Sequence, residues 1–311
     1  MTRPRLVGIV GPTATGKTGL AIELAERAGA EIVSADARQI YRGLDVGTAK
    51  PSLAERARIP HHCLDLADPT ERFDVGRYRL AARAAIADAG RRGRPVVVVG
   101  GTGLYVRALL RGLCEGVPAH PALRQALGHL EERAPGVLAR WAQRLDPAAA
   151  GRIHPHDRVR LLRVLEVALG TGVPLSGWQR HHGFADAPYE VLLLGLDVTP
   201  QALNGRIAAR VEAMLAGGWL DEVRALGAAV PSDAPAWMTL GYRELRAALD
   251  GRTDLAKAVA ATVLATRRFA KRQRTWFRRE PGLSWRDPIR ERARILEDAR
   301  AFLVAKPRDA G

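Results

Sequence analysis

Cysteine is scarce in this chain: Cys63 and Cys114 are its only two, set far apart with no C-x-x-C pair. That excludes a disulfide framework and a structural zinc ribbon, and both thiols are expected to be reduced and buried. Long apolar runs are missing as well. No stretch approaches roughly eighteen uncharged apolar residues, and Met1 to Arg5 leads into no long apolar segment, so neither a membrane span nor a secretory signal is expected. The chain reads as cytoplasmic, with no membrane partner. No internal repeat and no low-complexity tract organises it, which excludes a repeat array. Lysine is rare too, supplying five of the 48 basic residues.

What is present is globular material. A hydrophobic content of 47% beside 26% charged residues supplies enough apolar surface for a core and excludes wholesale disorder. At about 150 residues per domain, the 311 residues make about two domains. Charge is the unusual feature: 48 basic residues against 33 acidic ones give +15, which points to a polyanionic partner. A composition rich in Ala, Gly and Arg is also what a GC-biased genome yields, so charge alone does not decide.

Leu6 to Val10 is a short apolar run that reads as a buried strand, and Gly19 to Arg27 carries apolar residues at helical spacing. A second strand is expected at Glu31 to Val33, a helix at Val75 to Arg91, and a strand at Pro95 to Val99, a run too β-branched for a helix. Strands that are apolar throughout and alternate with helices imply a parallel sheet covered on both faces. From Val117 the texture changes. Pro118, Pro121, Pro135, Pro147 and Pro155 punctuate short amphipathic stretches such as Ala122 to Arg133 and His156 to Leu169, which read as an inserted helical unit. Glu190 to Leu196 is strand-like and rejoins the sheet, and Lys306 to Gly311 is expected to fray.

Gly11-Pro12-Thr13-Ala14-Thr15-Gly16-Lys17-Thr18 fits G-x-x-x-x-G-K-[ST] between the first strand and the first helix, the context this motif requires. Its glycines let backbone amides curl around an anion, and the helix N-terminus adds a favourable dipole. Lys17 reaches terminal phosphate oxygens, and the Thr18 hydroxyl can ligate Mg²⁺. A di- or triphosphate is the expected ligand. The expected architecture is therefore α/β: a P-loop-type parallel sheet core flanked by helices, residues 1–116 and 188–311, with an all-α insertion at 117–187. The acidic residue that a motor or switch NTPase carries after a second apolar strand is missing, because Val96 to Val99 runs into Gly100-Gly101-Thr102-Gly103. Simple ATP hydrolysis is disfavoured. A small-molecule kinase with Asp36 as base, or an RNA-binding protein using the nucleotide as a switch, stays open on these residues alone.

Two further features are less decisive. Arg267 to Arg279, RRFAKRQRTWFRR, holds seven basic residues in thirteen with Phe269, Trp276 and Phe277 interleaved. It reads either as a helix lying against phosphates or as a surface helix whose aromatic residues pack inward. The histidines, His61-His62 beside Cys63, His154 with His156, and His181-His182, lack a third or fourth ligand at zinc-like spacing, so no dedicated metal site is expected from them.

The order of motifs resembles the tRNA dimethylallyltransferase (tRNA isopentenyltransferase) family over nearly the whole chain. The matching segments are GPTATGKT at Gly11 to Thr18, SADARQIYRGLDVGTAKP at Ser34 to Pro51, GGTGLY at Gly100 to Tyr105, RIHPHDRVRLLRVLE at Arg152 to Glu166, and LGYRE at Leu240 to Glu244. The resemblance implies transfer of a dimethylallyl group from dimethylallyl diphosphate to the exocyclic amine of the adenosine 3′ of the anticodon, with diphosphate leaving. The absence of cysteine after Arg279 resembles the bacterial form, which has no added zinc finger. A related enzyme acting on free adenine nucleotides would share the loop and the aspartate but would have little use for the insertion or the charge.

The resemblance also implies roles for particular residues. Asp36 becomes the catalytic base, and Thr102, otherwise a helix cap, helps position the adenine amine. Arg160 and Arg210 join the loop residues Gly11 to Thr18 in binding diphosphate, with Mg²⁺ on Thr18. The implied tRNA contacts are Asp36, Ala37, Arg38, Gln39, Thr102, Arg124, the stretch Val159, Arg160, Leu161, Leu162, Arg163, and Gly241, Tyr242, Arg243 within Met238 to Arg243. Serine usually follows the aspartate in the family; Ala37 stands there in this chain. The implied partners are the tRNA anticodon stem-loop and dimethylallyl diphosphate. A monomer without an obligate protein partner is expected, since one chain supplies every implied part.

Overall fold

The computed structural model describes residues 3–114, 117–182 and 186–305, so the expected frayed tail lies outside the described residues. Strand β1 (Arg5–Val10) leads through the phosphate loop into α1 (Lys17–Ala28), followed by β2 (Glu31–Ser34), α2 (Leu53–Arg58), β3 (His61–His62), α3 (Val75–Arg91), β4 (Val96–Gly100) and α4 (Gly103–Arg111). A helical stretch comes next: α5 (Pro121–Arg133), α6 (Val137–Leu145), α7 (Pro147–Ala150), α8 (Arg158–Thr171) and α9 (Leu175–His182). The chain then forms β5 (Glu190–Leu196), α10 (Pro200–Ala216), α11 (Trp219–Ala229), α12 (Tyr242–Leu249), α13 (Leu255–Phe277), β6 (Leu283–Arg286) and α14 (Arg292–Val304).

The strands form one sheet in the order β3-β2-β4-β1-β5-β6, and every pair is parallel. Alternation along each strand splits the core into two layers. Leu6, Val10, Val33, Val96 and Val98 pack with Tyr78 and Tyr105 on one face, while Val7, Ile9, Ile32, Val97 and Val99 pack with Leu20, Leu24, Ile295 and Leu296 on the other. Burial on both faces is why these strands carry almost no polar residue. The register Val10↔Gly100 and Val10↔Gly195 brings the carboxyl ends of β1, β4 and β5 level, so the loops that follow them gather at one edge. Edge loops of this kind are where open α/β sheets bind ligands.

The chain divides into two compact units, Met1–Leu110 with Ala187–Gly311 and Arg111–Asp186. The second has its own apolar core, built around Leu127, Leu138, Ala142, Leu161 and Leu165. Buried Glu166 braces it by accepting the His120 amide at 2.8 Å and pairing with Arg163 at 3.0 Å and Arg124 at 3.3 Å. Burial works to raise that carboxyl's pKa, but the His120 amide and the Arg163 guanidinium outweigh it and hold it below the usual range. Of the two thiols, Cys63 is buried and pushed up to about 12 by burial, whereas Cys114 is only partly buried. Among the described residues no helix is long and apolar enough to cross a membrane.

Candidate functional site

A cavity of about 470 Å³ opens at the carboxyl edge of the sheet in the first unit. The phosphate loop forms part of its wall. Gly11 (φ 134°) and Gly16 (φ 90°) take backbone conformations that L side chains avoid, and a Cβ on Gly11 would lie 2.4 Å from the Leu196 carbonyl oxygen. Ala14 is also left-handed, at φ 63°. Gly16 caps α1 without a side-chain hydrogen bond, leaving the first-turn amides of that helix without a side-chain cap. The Pro12 carbonyl accepts from Thr15 Oγ1 at 2.9 Å and from Lys17 Nζ at 2.6 Å. Lys17 and Thr18 line the cavity, as does Arg210 from α10.

Lys17 and Arg210 define the electrostatics. Burial, and then the neighbouring Arg210, push the Lys17 ammonium down to about 7, with Asp36 acting in the opposite direction. Burial likewise lowers Arg210, again opposed by Asp36. Among the described residues neither cation has a carboxylate within salt-bridge distance. Two desolvated cations near one another, unpaired, make an anion site that costs less when an anion fills it.

Asp36 lies two residues beyond β2 and lines the same cavity. Its Oδ1 accepts the Arg38 amide at 2.8 Å, an Asx turn that orients the carboxylate. Thr102 does not cap α4 with its side chain. Its Oγ1 accepts the Ala37 amide at 2.9 Å while its N–H donates to the Ala35 carbonyl at 3.1 Å, which stitches the β4 loop to both sides of Asp36. Gln39 is buried, and its amide is occupied: Nε2 donates to the Thr48 and Ala49 carbonyls at 3.2 and 3.1 Å, and Oε1 accepts from Ser34 Oγ at 3.0 Å. It borders the cavity chiefly as the clamp on loop 45–50.

A family model described as IPP transferase matches residues 39–280, and one described as isopentenyl transferase matches 4–64. The tRNA dimethylallyltransferase of Anaeromyxobacter dehalogenans (strain 2CP-1) is 51% identical over 286 residues, which span 91% of this chain and 93% of that one. The chain belongs to the tRNA dimethylallyltransferase family. A Geobacter metallireducens tRNA dimethylallyltransferase is 48% identical, with 91% of this chain and 92% of that one covered. Among solved structures, the full-length tRNA isopentenylpyrophosphate transferase of Bacillus halodurans matches with a TM-score of 0.71 at 34% identity, covering 96% of this chain and 95% of that one. A eukaryotic dimethylallyltransferase described as acting on tRNA matches with a TM-score of 0.83 at 26% identity, covering 99% of this chain and 81% of that one.

The remaining candidates of this dimethylallyltransferase sort by burial. Val159 and Arg160 are exposed at the start of α8, where Arg160 pairs with Asp157 at 3.3 Å; Arg160 does not line the cavity of the first unit. Leu161 and Leu162 are corrected from contacts to packing residues: at 2% and 9% exposed, they belong to the insertion's apolar core. Arg124 and Arg163 hold buried Glu166 as well as reaching solvent. Tyr242 is likewise a packing residue, wholly buried, with its hydroxyl donating to Glu222. Gly241 (φ 86°) is a glycine because a Cβ would lie 2.2 Å from the Trp219 ring. Arg243 and Met238 stay exposed, and Met238 and Arg38 line the cavity.

Several site residues escaped the sequence reading. Glu222 accepts the consecutive amides of Asp45, Val46 and Gly47 at 2.7, 2.7 and 3.0 Å and so fixes the loop that Gln39 clamps. Phe269, Arg272, Gln273 and Trp276 put one face of α13 on the cavity. The same helix turns Arg267, Arg268, Lys271, Arg272, Arg278 and Arg279 to solvent, and among the described residues none of these six forms an ion pair. Arg274 differs: its Nε meets Asp197 Oδ1 at 3.0 Å. The aromatic residues of the basic stretch turn inward, and its unpaired basic residues are exposed. No group of three or more His, Cys, Asp or Glu among the described residues is placed to hold a metal ion.

The lowered Lys17 pKa predicts proton uptake on anion binding. At pH 8 an ammonium with a pKa of about 7 is mostly neutral, and an anion beside it restores the charged form. Calorimetry of inorganic diphosphate in buffers of differing ionisation enthalpy should show about one more proton taken up at pH 8 by the wild type than by Lys17→Met, and nearly none at pH 6. Equal uptake by both proteins at pH 8 contradicts the assignment.

Proposed function

We propose that this chain transfers the dimethylallyl group of dimethylallyl diphosphate to N6 of the adenosine 3′ of the anticodon in tRNA, releasing diphosphate. The observation that carries this reading is the unpaired, desolvated pair Lys17 and Arg210 in one cavity with the single carboxylate Asp36. As the allylic C1–O bond breaks, its electron pair passes to diphosphate. Lys17, Arg210 and the backbone amides of Ala14 to Thr18 stabilise the charge that gathers there. The N6 lone pair forms the new bond to C1, and the N6 proton passes to Asp36. Adenine's amine is a weak nucleophile because its lone pair is delocalised into the ring, so removing the proton as the bond forms is where a carboxylate helps most.

Mg²⁺ fits this site only with the substrate present. Thr18 offers one hydroxyl, the described residues supply no cage of carboxylates, and Mg²⁺ in phosphate sites commonly takes one or two protein ligands beside phosphate oxygens and water. When bound by Thr18 and diphosphate, the ion supplies further neutralisation of the leaving group.

The RNA is met by exposed basic residues. Anticodon-loop nucleotides are already unpaired, so extruding an adenosine costs only a few kcal/mol, which stacking and phosphate contacts offset. The outward face of α13 offers phosphate contacts, Met238 and Phe269 offer apolar surface at the cavity, and Val159, Arg160 and Arg243 add exposed contacts.

The deciding experiment incubates the protein with Mg²⁺, labelled dimethylallyl diphosphate and unmodified tRNA, with AMP and ATP in parallel. Label on tRNA is expected; label on AMP alone would overturn the substrate assignment. In the same assay Asp36→Asn should lower turnover by about 10² or more while tRNA affinity holds. Unchanged turnover removes Asp36 from the mechanism. A second measurement follows tRNA affinity against salt, where the log-log slope should be several units and become shallower by about one for each exposed α13 phosphate contact replaced by alanine. A slope unaffected by those replacements would demote the face to composition.

A further inference from the structure

Gln273 is 6% exposed near the C-terminal end of α13, and the chemistry above does not use it. Its Oε1 accepts the Thr13 amide of the phosphate loop at 2.8 Å, and its Nε2 donates to the Gly101 carbonyl at 2.9 Å. Gly101 precedes Thr102, whose hydroxyl and amide hold the backbone on either side of Asp36. A run of hydrogen bonds thus leads from the loop at the leaving-group end, through one side chain, to the base. Two glycines admit the helix this close. A Cβ on Gly101 would lie 2.1 Å from Gln273 Nε2, and one on Gly103 would lie 2.1 Å from Trp276, which follows Gln273 by three residues on the same helix face.

We propose that Gln273 is a positioning residue that sets the separation between the phosphate loop and the Asp36–Thr102 segment; this rests on the reading of the cavity given above. The sheet does not supply that brace by itself. β1 and β2 are not neighbours, since β4 lies between them, and the loops at issue extend past the last ladder hydrogen bonds. Glutamine suits the position because it accepts at one end and donates at the other without charge. Glutamate would accept at both ends and set an anion beside the leaving group, whereas lysine or arginine would only donate. The bridge also takes up the Thr13 amide, so that donor serves the framework rather than the diphosphate. Alkyl transfer needs nucleophile, carbon and leaving group in line, and a misplacement of about 1 Å costs on the order of 10²-fold in rate.

The test is a double-mutant cycle. Gln273→Met keeps the reach of the side chain and removes both hydrogen bonds, while Gly101→Ala drives a methyl into the place of Nε2. Each variant should lower kcat, normalised to the folded fraction measured by circular dichroism, by about tenfold or more, with the tRNA Kd within about twofold because the outward face of α13 is untouched. The double variant should be no slower than the worse single, because all three break one link. A kcat per folded molecule equal to wild type in Gln273→Met, or a double variant that loses the product of the two single effects, would overturn the proposal. Should Gln273→Met fail to fold, Gln273→Asn, too short to span both partners, takes its place in the same cycle. A wild type that labels no tRNA sinks the reading of the cavity, whereas an active wild type matched by its variant sinks the brace alone.

Discussion

Two partly buried cations without a carboxylate partner are the constraint from which this end of the cavity follows. Desolvation works against every charge in a protein interior, and most buried charges are paired for that reason. Here Lys50 is the contrast: its buried ammonium meets both Asp45 and Asp65 at 2.6 Å. Lys17 and Arg210 have no such partner, and the carboxylate that acts on both, Asp36, is not in contact with either. The site thus lacks an anion beside its two cations, and an incoming diphosphate supplies one. An aspartate in full contact with Lys17 would neutralise that cation, and the gap to Asp36 leaves it able to meet an anion.

The basic residues divide between framework and surface. Many arginines are spent on the framework: Arg92 on buried Glu31, Arg107 on buried Glu280, and Arg124 with Arg163 on buried Glu166. Each of these buried carboxylates cancels the charge of one arginine, so the long-range attraction of those cations is reduced. Most of what remains uncompensated on α13 is exposed, with Arg272 at the cavity, while Gln273, Trp276 and buried Phe277 face inward. One helix therefore joins an exposed basic surface to the cavity wall. Composition could not reveal this, since an arginine that braces a core and an arginine that meets RNA count alike.

Much of the architecture was legible because its signals are local. The run Leu6 to Val10, the loop ending in Lys17-Thr18, and the helix Val75–Arg91 stand where periodicity and turn chemistry put them. The misses have physical causes. β3 has two residues and β6 four, and the latter is only partly buried, so neither leaves an apolar run to read. Leu161, Leu162 and Tyr242 sit inside segments that mark the family, but a segment can be characteristic because it packs. A helix alternates its faces every few residues, so a contact stretch of five consecutive residues must include some that point into the core. Glu222 and Gln273 were invisible for a different reason: their partners, Asp45 to Gly47, Thr13 and Gly101, lie far away in the chain, and a lone Glu or Gln on a helix has no signature of its own.

The glycines of Gly100-Gly101-Thr102-Gly103 show how two separate motifs can be one. Read locally, such a cluster after a strand suggests a flexible turn or a phosphate cradle. None of the three has an open side: a Cβ on Gly100 would meet the Ala35 carbonyl at 2.2 Å, and those on Gly101 and Gly103 would meet α13 at 2.1 Å. Their φ values are not left-handed, so conformational freedom is not what selects them. Close approach is. The run from Gly100 to Gly103 and the Gln273–Trp276 face are two halves of one contact, written far apart in the chain and mutually dependent, because a larger residue on either side displaces the other. Since the β4 loop also carries Thr102, that contact fixes where the Asp36 backbone can lie, and packing on one side of the cavity becomes geometry on the other.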